Sequence, residues 1–117
     1  MNSPAIRWPE ILSLRIEPPL FAATFLGSIW GYCQIPAIIE TFRELLPGTR
    51  EYDGCQWVKL MTNLDDENVV EAVSQWDSKR HYDAYLQWRV DTGAVAALTE
   101  FLDAEPVFRF LPVEMEY

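Results

Sequence analysis

The order of helix-like and strand-like hydrophobic segments along the chain constrains its fold most. Apolar and aromatic side chains recur with helical spacing over residues 38–46 and again over 82–89. Four shorter runs are apolar or aromatic without that spacing: 21–26, 55–61, 69–76 and 107–111. These runs are typical of strands. The sequence therefore predicts an α+β fold with the ferredoxin-like β-α-β-β-α-β order and an antiparallel sheet.

Proline, glycine and capping residues set the expected ends of the two main helices. Pro36 suits the first turn of the first helix, and Pro47-Gly48 predicts its end. Asp77 or Ser78 can cap the second helix, because short polar side chains accept hydrogen bonds from the first amide groups of a helix. The polar segment between the second and third strands predicts a hairpin turn.

The two ends of the chain complete the expected organisation. Thr92-Gly93 predicts a break after the second helix, and residues 95–102 predict a short extra helix before the last strand. Residues 1–19 contain four prolines, so we expect an extended N-terminal arm there. Residues 20–117 are long enough for one domain with its own core.

The predicted strands carry apolar side chains on both faces of the sheet. In the third strand, Val69 and Val73 point to one side. Val70 and Trp76 point to the other side. Since the helices can cover only one face, a second copy of the chain is expected to cover the other. We therefore predict a homodimer formed through the sheet face.

Composition excludes several classes of function. The chain has 9 Lys and Arg against 18 Asp and Glu, a formal charge of −9, which disfavours binding to nucleic acid or to anionic membranes. Cys33, Cys55 and His81 are too few and too scattered for a metal site or a disulfide framework. No segment is typical of a signal peptide or of a transmembrane helix, so we expect a cytoplasmic protein with free thiols.

Two short motifs point to a known family. Gly54-Cys55 leads from the first helix into the second strand, and Trp76-x-Ser78 ends the third strand before a tyrosine-rich helix. With these motifs in this order, residues 20–113 resemble the antibiotic biosynthesis monooxygenase family. The resemblance implies a dimeric α+β barrel in which two chains pair their sheets and each encloses a cavity between sheet and helices.

The resemblance implies several activities rather than one. Some members are cofactor-independent oxygenases of phenolic polyketide intermediates, which leads us to expect a cofactor-free monooxygenase of a small hydrophobic aromatic substrate. Haem-cleaving relatives carry a histidine later on the second helix than His81, so haem degradation is not expected. A non-redox isomerase or a ligand-binding dimer is the alternative, and a structural dimer whose own aromatic residues fill the cavity is the third.

The candidates for catalysis are three residues: Trp76, Tyr85 and Arg89. The resemblance places Trp76 at the cavity wall, where it would stack on a flat substrate, although a core tryptophan is the alternative. Tyr82, Tyr85 and Arg89 share one helix face. Tyr85 would orient the substrate or relay a proton, and Arg89 would stabilise an anion. Alternatively, the tyrosines lie at the surface and Arg89 pairs with Asp91, Glu71 or another acidic side chain.

Five further residues are candidates for substrate binding. They are Tyr82, Trp57, Ser74, Thr24 and His81. Thr24 and Ser74 are small polar residues of strands, and Trp57 would add an aromatic wall. His81 is the one side chain that ordinarily titrates near neutral pH, but its place in the first turn of the helix also suits an exposed position. No base stands beside any of the small polar residues in a nucleophilic arrangement.

Overall fold

The computed structural model describes residues 20–31 and 34–117. Its elements are β1 (Phe21–Ser28), α1 (Ile35–Glu51), β2 (Cys55–Thr62), β3 (Val69–Trp76), α2 (Lys79–Asp91), α3 (Ala94–Thr99) and β4 (Val107–Pro112). The strands form one antiparallel sheet in the order β2-β3-β1-β4. The predicted ferredoxin-like α+β fold is confirmed. The predicted arm over 1–19 and the side chain of Cys33 lie outside the described residues.

One face of the sheet packs against the helices and forms the core. Successive side chains of a strand point to opposite faces, so Phe21, Ala23 and Phe25 of β1 all face the helices. Two groups of buried side chains fill this layer. The first comprises Phe25, Ile29, Ile38, Phe42, Val70, Leu98 and Leu102. The second comprises Phe21, Ala23, Cys55, Trp76 and Tyr82.

Helix α1 does not end at Pro47-Gly48, so that prediction is wrong. The helix continues to Glu51 with Pro47 inside it. A proline inside a helix removes one backbone hydrogen bond, but here side chains support the last turn. The carbonyl oxygen of Leu45 accepts hydrogen bonds from the Thr49 hydroxyl at 3.3 Å and from Arg89 Nη2 at 2.6 Å. One hydrogen bond within the helix and one tertiary hydrogen bond thus support a turn that local sequence signals predict to unwind.

The second helix follows its predicted signals, whereas the third is shorter than expected. Ser78 is the N-cap of α2, where its hydroxyl oxygen accepts a hydrogen bond from the His81 amide at 3.3 Å. Helix α3 ends at Thr99 because the following backbone pairs with the end of β1. The amide of Trp30 donates to the Phe101 carbonyl at 2.9 Å, and the amide of Asp103 donates to the Ser28 carbonyl at 2.9 Å.

The outer face of the sheet, which points away from the helices, keeps several apolar side chains accessible. Met61, Val107 and Leu111 lie on it and remain 44%, 49% and 46% exposed. Leu26 and Val73 lie on the same face and are half-buried. Within residues 20–31 and 34–117, no helix has both the length and the apolar character needed to cross a membrane.

Two glycines with positive φ offer a matched test of crowding in the fold. Gly54 has φ +89° and a side chain there would meet the ring and Cβ of His81, whereas Gly93 has φ +83° and open space around it. Gly93→Ala is expected to cost about 1–2 kcal/mol for the left-handed backbone alone. Gly54→Ala is expected to cost about 3 kcal/mol, because overpacking adds to the same backbone strain.

Urea unfolding midpoints of the two variants measure this difference. Equal losses of stability in Gly54→Ala and Gly93→Ala would show that His81 does not close over Gly54.

Candidate functional site

A cavity of about 60 Å³ lies between the helix-facing side of the sheet and all three helices. Its polar lining comes from Thr49, Ser74, Tyr82, Tyr85 and Arg89. The rest of the lining is apolar: Ala23, Phe25, Phe42, Leu45, Leu46, Val58, Ala72, Leu86, Ala94, Val95, Leu98 and Phe108. Drug-sized ligands occupy pockets of about 300 Å³ or more. A cavity of about 150 Å³ accommodates benzene, so even a single-ring ligand requires the helices of this protein to move apart.

Arg89 supplies the positive charge of the cavity. Its side chain is only 9% exposed. Nη2 donates to the carbonyl of Leu45 at 2.6 Å and to Thr49 Oγ1 at 3.3 Å, and Nε donates to the Tyr85 hydroxyl at 3.2 Å. Its guanidinium also lies 4.4 Å from the centroid of the Trp88 ring. Gly48 leaves room for it, because a Cβ there would stand 3.1 Å from Nη2.

No carboxylate in the described part of the chain forms an ion pair with Arg89. The carboxylate of Asp91 instead accepts a hydrogen bond from Gln87 at 2.9 Å, so the alternative in which Asp91 neutralises Arg89 does not apply. A buried charge without a counter-ion is costly, and carbonyl and hydroxyl oxygens compensate it only in part. Among the residues that the structure describes, the partners of this guanidinium are therefore all neutral oxygens and rings.

Tyr85 and Thr49 join Arg89 in one hydrogen-bonded group. The Tyr85 hydroxyl lies 2.6 Å from Thr49 Oγ1. Thr49 is 2% exposed and is absent from the residues that the sequence predicts for the site. It stands four residues after Leu45, on the apolar stripe of α1, but the expected helix end at Pro47 removes it from that stripe. Tyr85 and Arg89 thus stand together in the cavity wall, as their shared helix face predicts.

Tyr82 and Ser74 also line the cavity, and their contact with a substrate stays a prediction. Tyr82 is 4% exposed, and its burial raises the pKa of its phenol well above the usual value. It therefore stays neutral at physiological pH and cannot serve as a base. Ser74 Oγ donates to the Ala23 carbonyl at 3.4 Å and accepts from Trp76 Nε1 at 2.8 Å. Both hydrogen-bonding roles of Ser74 are therefore used within the protein.

Trp76 lies behind the cavity wall and does not line the cavity, which corrects the expected position. It is fully buried, with its ring centroid 5.5 Å from that of Tyr82 and 4.9 Å from that of Tyr85. A tryptophan at the end of a strand that packs under the next helix is shielded from the cavity by that helix's side chains. Trp76 matches the alternative of a core tryptophan that supports the wall.

Thr24 and Trp57 lie on the outer face of the sheet, so the expectation that they line the cavity is wrong. Thr24 pairs with Val73, one position out of phase with the cavity-lining residues of β1. Trp57 follows a β-bulge after Cys55, which reverses the faces of the residues that follow it. Without the bulge, Trp57 would face the helices.

His81 also lies outside the cavity. Its Nδ1 is 2.7 Å from the hydroxyl of Ser78, and its Nε2 is 3.7 Å from a carboxylate oxygen of Asp53. These contacts hold the imidazole against the loop that precedes β2, away from the cavity. Among the residues that the structure describes, no group of three or more His, Cys, Asp or Glu is arranged to hold a metal ion.

Solved structures with the same fold come from distant sequences. A conserved protein from Methanosarcina mazei Go1 superposes with a TM-score of 0.75 at 12% identity, covering 84% of this chain and 96% of that one. Rv0793 from Mycobacterium tuberculosis gives a TM-score of 0.73 at 16% identity, covering 83% and 97%. SnoaB, a cofactor-independent oxygenase from Streptomyces nogalater, gives 0.69 at 11% identity, covering 84% and 96%. These likenesses show the fold.

Comparison at the level of sequence identifies the family. No curated protein matches the chain. The sequence profile of the family described as antibiotic biosynthesis monooxygenase matches residues 34–104, from the start of α1 to the loop before β4. This match covers more than half of the chain and includes both motifs singled out in the sequence. The protein belongs to the antibiotic biosynthesis monooxygenase family.

Proposed function

We propose that the protein is a cofactor-independent monooxygenase that binds a small phenolic or enolic aromatic substrate in the cavity as its anion. The observation that carries the proposal is the buried guanidinium of Arg89, which faces an apolar cavity without a neutralising carboxylate among the described residues. Family membership supports an oxygenase, and SnoaB, which has the same fold, is a cofactor-independent oxygenase.

The proposed reaction requires the protein to stabilise the substrate anion and to exclude water. Arg89 and the Tyr85 hydroxyl stabilise the substrate anion, because charge-assisted hydrogen bonds are strongest in a dry, low-dielectric site. The apolar lining excludes water from the reactive intermediate. No side chain that lines the cavity in the described part of the chain is an ordinary base at neutral pH. The substrate therefore has to be acidic enough to lose its proton to solvent once Arg89 favours the anion.

The electrons in this reaction come from the substrate itself. An electron-rich anion reduces dioxygen, and a bond forms between one ring carbon and one oxygen atom to give a peroxide. Loss of water then converts that carbon to a carbonyl, so one oxygen stays in the product and the other leaves as water. The attacked ring carbon gives up its hydrogen as it becomes a carbonyl, the ring and its ionised hydroxyl together supply all the electrons, and no separate reductant is needed.

Oxygen consumption with a panel of single-ring hydroquinones and related phenols tests the proposal. We expect uptake without added flavin or metal, and isotopically labelled dioxygen should place one labelled atom in each product molecule. Turnover that requires flavin or iron would contradict the mechanism. Binding of the panel without any oxygen uptake would favour a non-redox isomerase or a binding protein instead.

We also propose that the protein is a homodimer joined through the outer face of the sheet. Met61 lies on one edge strand and Val107 and Leu111 lie on the other, with Leu26 and Val73 on the strands between them. These accessible apolar side chains support the assembly, because exposed apolar surface on a soluble domain marks interfaces. Sedimentation velocity should give a dimer that Leu111→Lys dissociates. The matched control is Leu64→Lys, since Leu64 is 99% exposed in the hairpin turn. A wild-type monomer would contradict the assembly.

A further inference from the structure

We infer that Thr49 is a positioning residue that turns the Tyr85 hydroxyl toward a bound anion. The inference rests on the proposed function only in requiring that the cavity binds an anion, not that it reacts with oxygen. In this arrangement the Thr49 hydroxyl donates its hydrogen to the Tyr85 oxygen, and Tyr85 donates its own hydrogen to the ligand.

The contacts of Thr49 give its single hydroxyl hydrogen two possible directions. Oγ1 lies 2.6 Å from the Tyr85 hydroxyl and 3.3 Å from the carbonyl oxygen of Leu45. Arg89 Nη2 donates to the same Oγ1 at 3.3 Å. A hydroxyl carries one donor hydrogen and two acceptor lone pairs. Thr49 can therefore donate either to Leu45 or to Tyr85 at any moment, but not to both.

The direction of this hydrogen decides what Tyr85 offers to the cavity. When Thr49 donates to Leu45, Tyr85 donates to Thr49 and has no hydrogen left for a ligand. When Thr49 donates to Tyr85, the phenol oxygen accepts from Thr49 and from Arg89 Nε, the latter at 3.2 Å. The phenol hydrogen is then free to bond to an anion. Two donors on its oxygen also strengthen the phenol as a donor, because linked hydrogen bonds polarise one another.

The carbonyl of Leu45 loses little when Thr49 turns away from it. Arg89 Nη2 already donates to this oxygen at 2.6 Å, a shorter contact than the 3.3 Å from Thr49. The change therefore reverses the 2.6 Å hydrogen bond between Thr49 and Tyr85 and gives up only the 3.3 Å bond to Leu45, without leaving a buried carbonyl unpaired. An anion in the cavity favours the second arrangement, since it accepts the hydrogen that Tyr85 releases.

A purely structural role for Thr49 would be to bond back to its own helix and nothing more. Thr41 makes such a bond in the same helix, with its hydroxyl donating to the Ala37 carbonyl at 3.0 Å, and it has no contact with the cavity. Thr41→Val is therefore the matched control for Thr49→Val, because both remove one threonine hydroxyl from α1. Thr49→Ser keeps the hydroxyl and should rescue the function.

The test uses para-nitrophenol, whose anion is yellow and whose ionisation lies close to neutral pH. We would titrate the bound probe without dioxygen in the wild type and in each variant. The wild type is expected to lower the pKa of the bound phenol. Thr49→Val is expected to weaken binding of the anion about threefold, because the Tyr85 hydroxyl then donates without the polarising hydrogen bond from Thr49, with the neutral form bound as before. Thr49→Ser and Thr41→Val should both match the wild type.

Several outcomes would overturn the inference. Equal losses for the anion and the neutral probe in Thr49→Val would indicate a packing role, and tighter anion binding would show that Thr49 only competes for the Tyr85 hydrogen. A wild type that leaves the pKa of the probe unchanged would also overturn it. A lowered pKa of the bound probe, together with no oxygen uptake from the panel of hydroquinones and phenols, would instead contradict the oxygenase proposal while leaving the role of Thr49 intact.

Discussion

Arg89→Gln is expected to lower kcat/KM for the oxygenation by about 100-fold or more, the size typical of removing one preorganised donor from a developing anion. The amide nitrogen of glutamine extends about as far as Nε of arginine, so it can donate to the Tyr85 hydroxyl, but it does not reach the Leu45 carbonyl and carries no charge. The loss should appear chiefly with anionic ligands, because a neutral ligand gains little from the guanidinium. Steady-state oxygen uptake and probe binding measure the two effects separately.

Stability separates this result from misfolding. Arg89 is buried without a carboxylate among its described neighbours, so Arg89→Gln removes the desolvation cost of a buried charge as well as hydrogen bonds. The free energy of unfolding is expected to fall by about 1–3 kcal/mol, because the loss of the 2.6 Å donor to the Leu45 carbonyl outweighs the relief of the buried charge, and the variant still folds. Arg43→Gln is the matched control, since Arg43 is exposed and pairs with Glu40 at 3.0 Å. Similar losses of activity in both variants would contradict an anion-binding role for Arg89.

The fold can be predicted because its signals are local and repeated. The apolar stripe of α1, in which Ile38 and Phe42 are both buried, can be predicted from the helical period of the sequence alone. The N-cap of α2 at Ser78 and the end of that helix before Gly93 follow from capping chemistry that acts within one turn. The hairpin between β2 and β3 likewise depends on residues that are close in sequence.

The candidate site is harder to predict because it depends on which face each residue takes. The sequence places Tyr85 and Arg89 correctly, since their helix has one regular period. Trp57 differs from its expected face because of a single extra residue at the bulge after Cys55, a change of backbone register that no side-chain pattern signals. The position of Thr49 in the cavity wall could not be predicted from local sequence. Helix α1 continues past Pro47 with the support of hydrogen bonds from Arg89, which is 40 positions away from Thr49.

The burial depth of Trp76 also could not be predicted from the sequence. Its position at the end of β3 follows from the sequence, but its depth does not, because depth depends on how Tyr82 and Tyr85 pack over it from α2. The three rings form a continuous layer in which Trp76 is fully buried and the two tyrosines reach the cavity. The geometry of the cavity wall therefore depends on a residue that does not line the cavity.

Trp76→Ala is expected to lower the free energy of unfolding by about 3–5 kcal/mol, the usual cost of removing a large buried aromatic side chain. The substitution removes ring contacts to both tyrosines and the hydrogen bond from Nε1 to Ser74 at 2.8 Å. Trp76→Phe should cost about 1–3 kcal/mol, since it keeps most of the ring but leaves the buried Ser74 oxygen without its donor. Urea unfolding followed by circular dichroism measures all three proteins.

The matched control is Trp30→Ala, because Trp30 is 63% exposed beyond the end of β1. That change is expected to alter stability by about 0.5 kcal/mol or less, as surface substitutions usually do. If Trp76→Phe binds the nitrophenolate anion less tightly while its unfolding midpoint falls only slightly, the ring layer positions Tyr85 as well as stabilising the fold. If Trp76→Ala unfolds at the wild-type midpoint, the layer behind the cavity contributes nothing to stability, and the depth assigned to Trp76 is wrong.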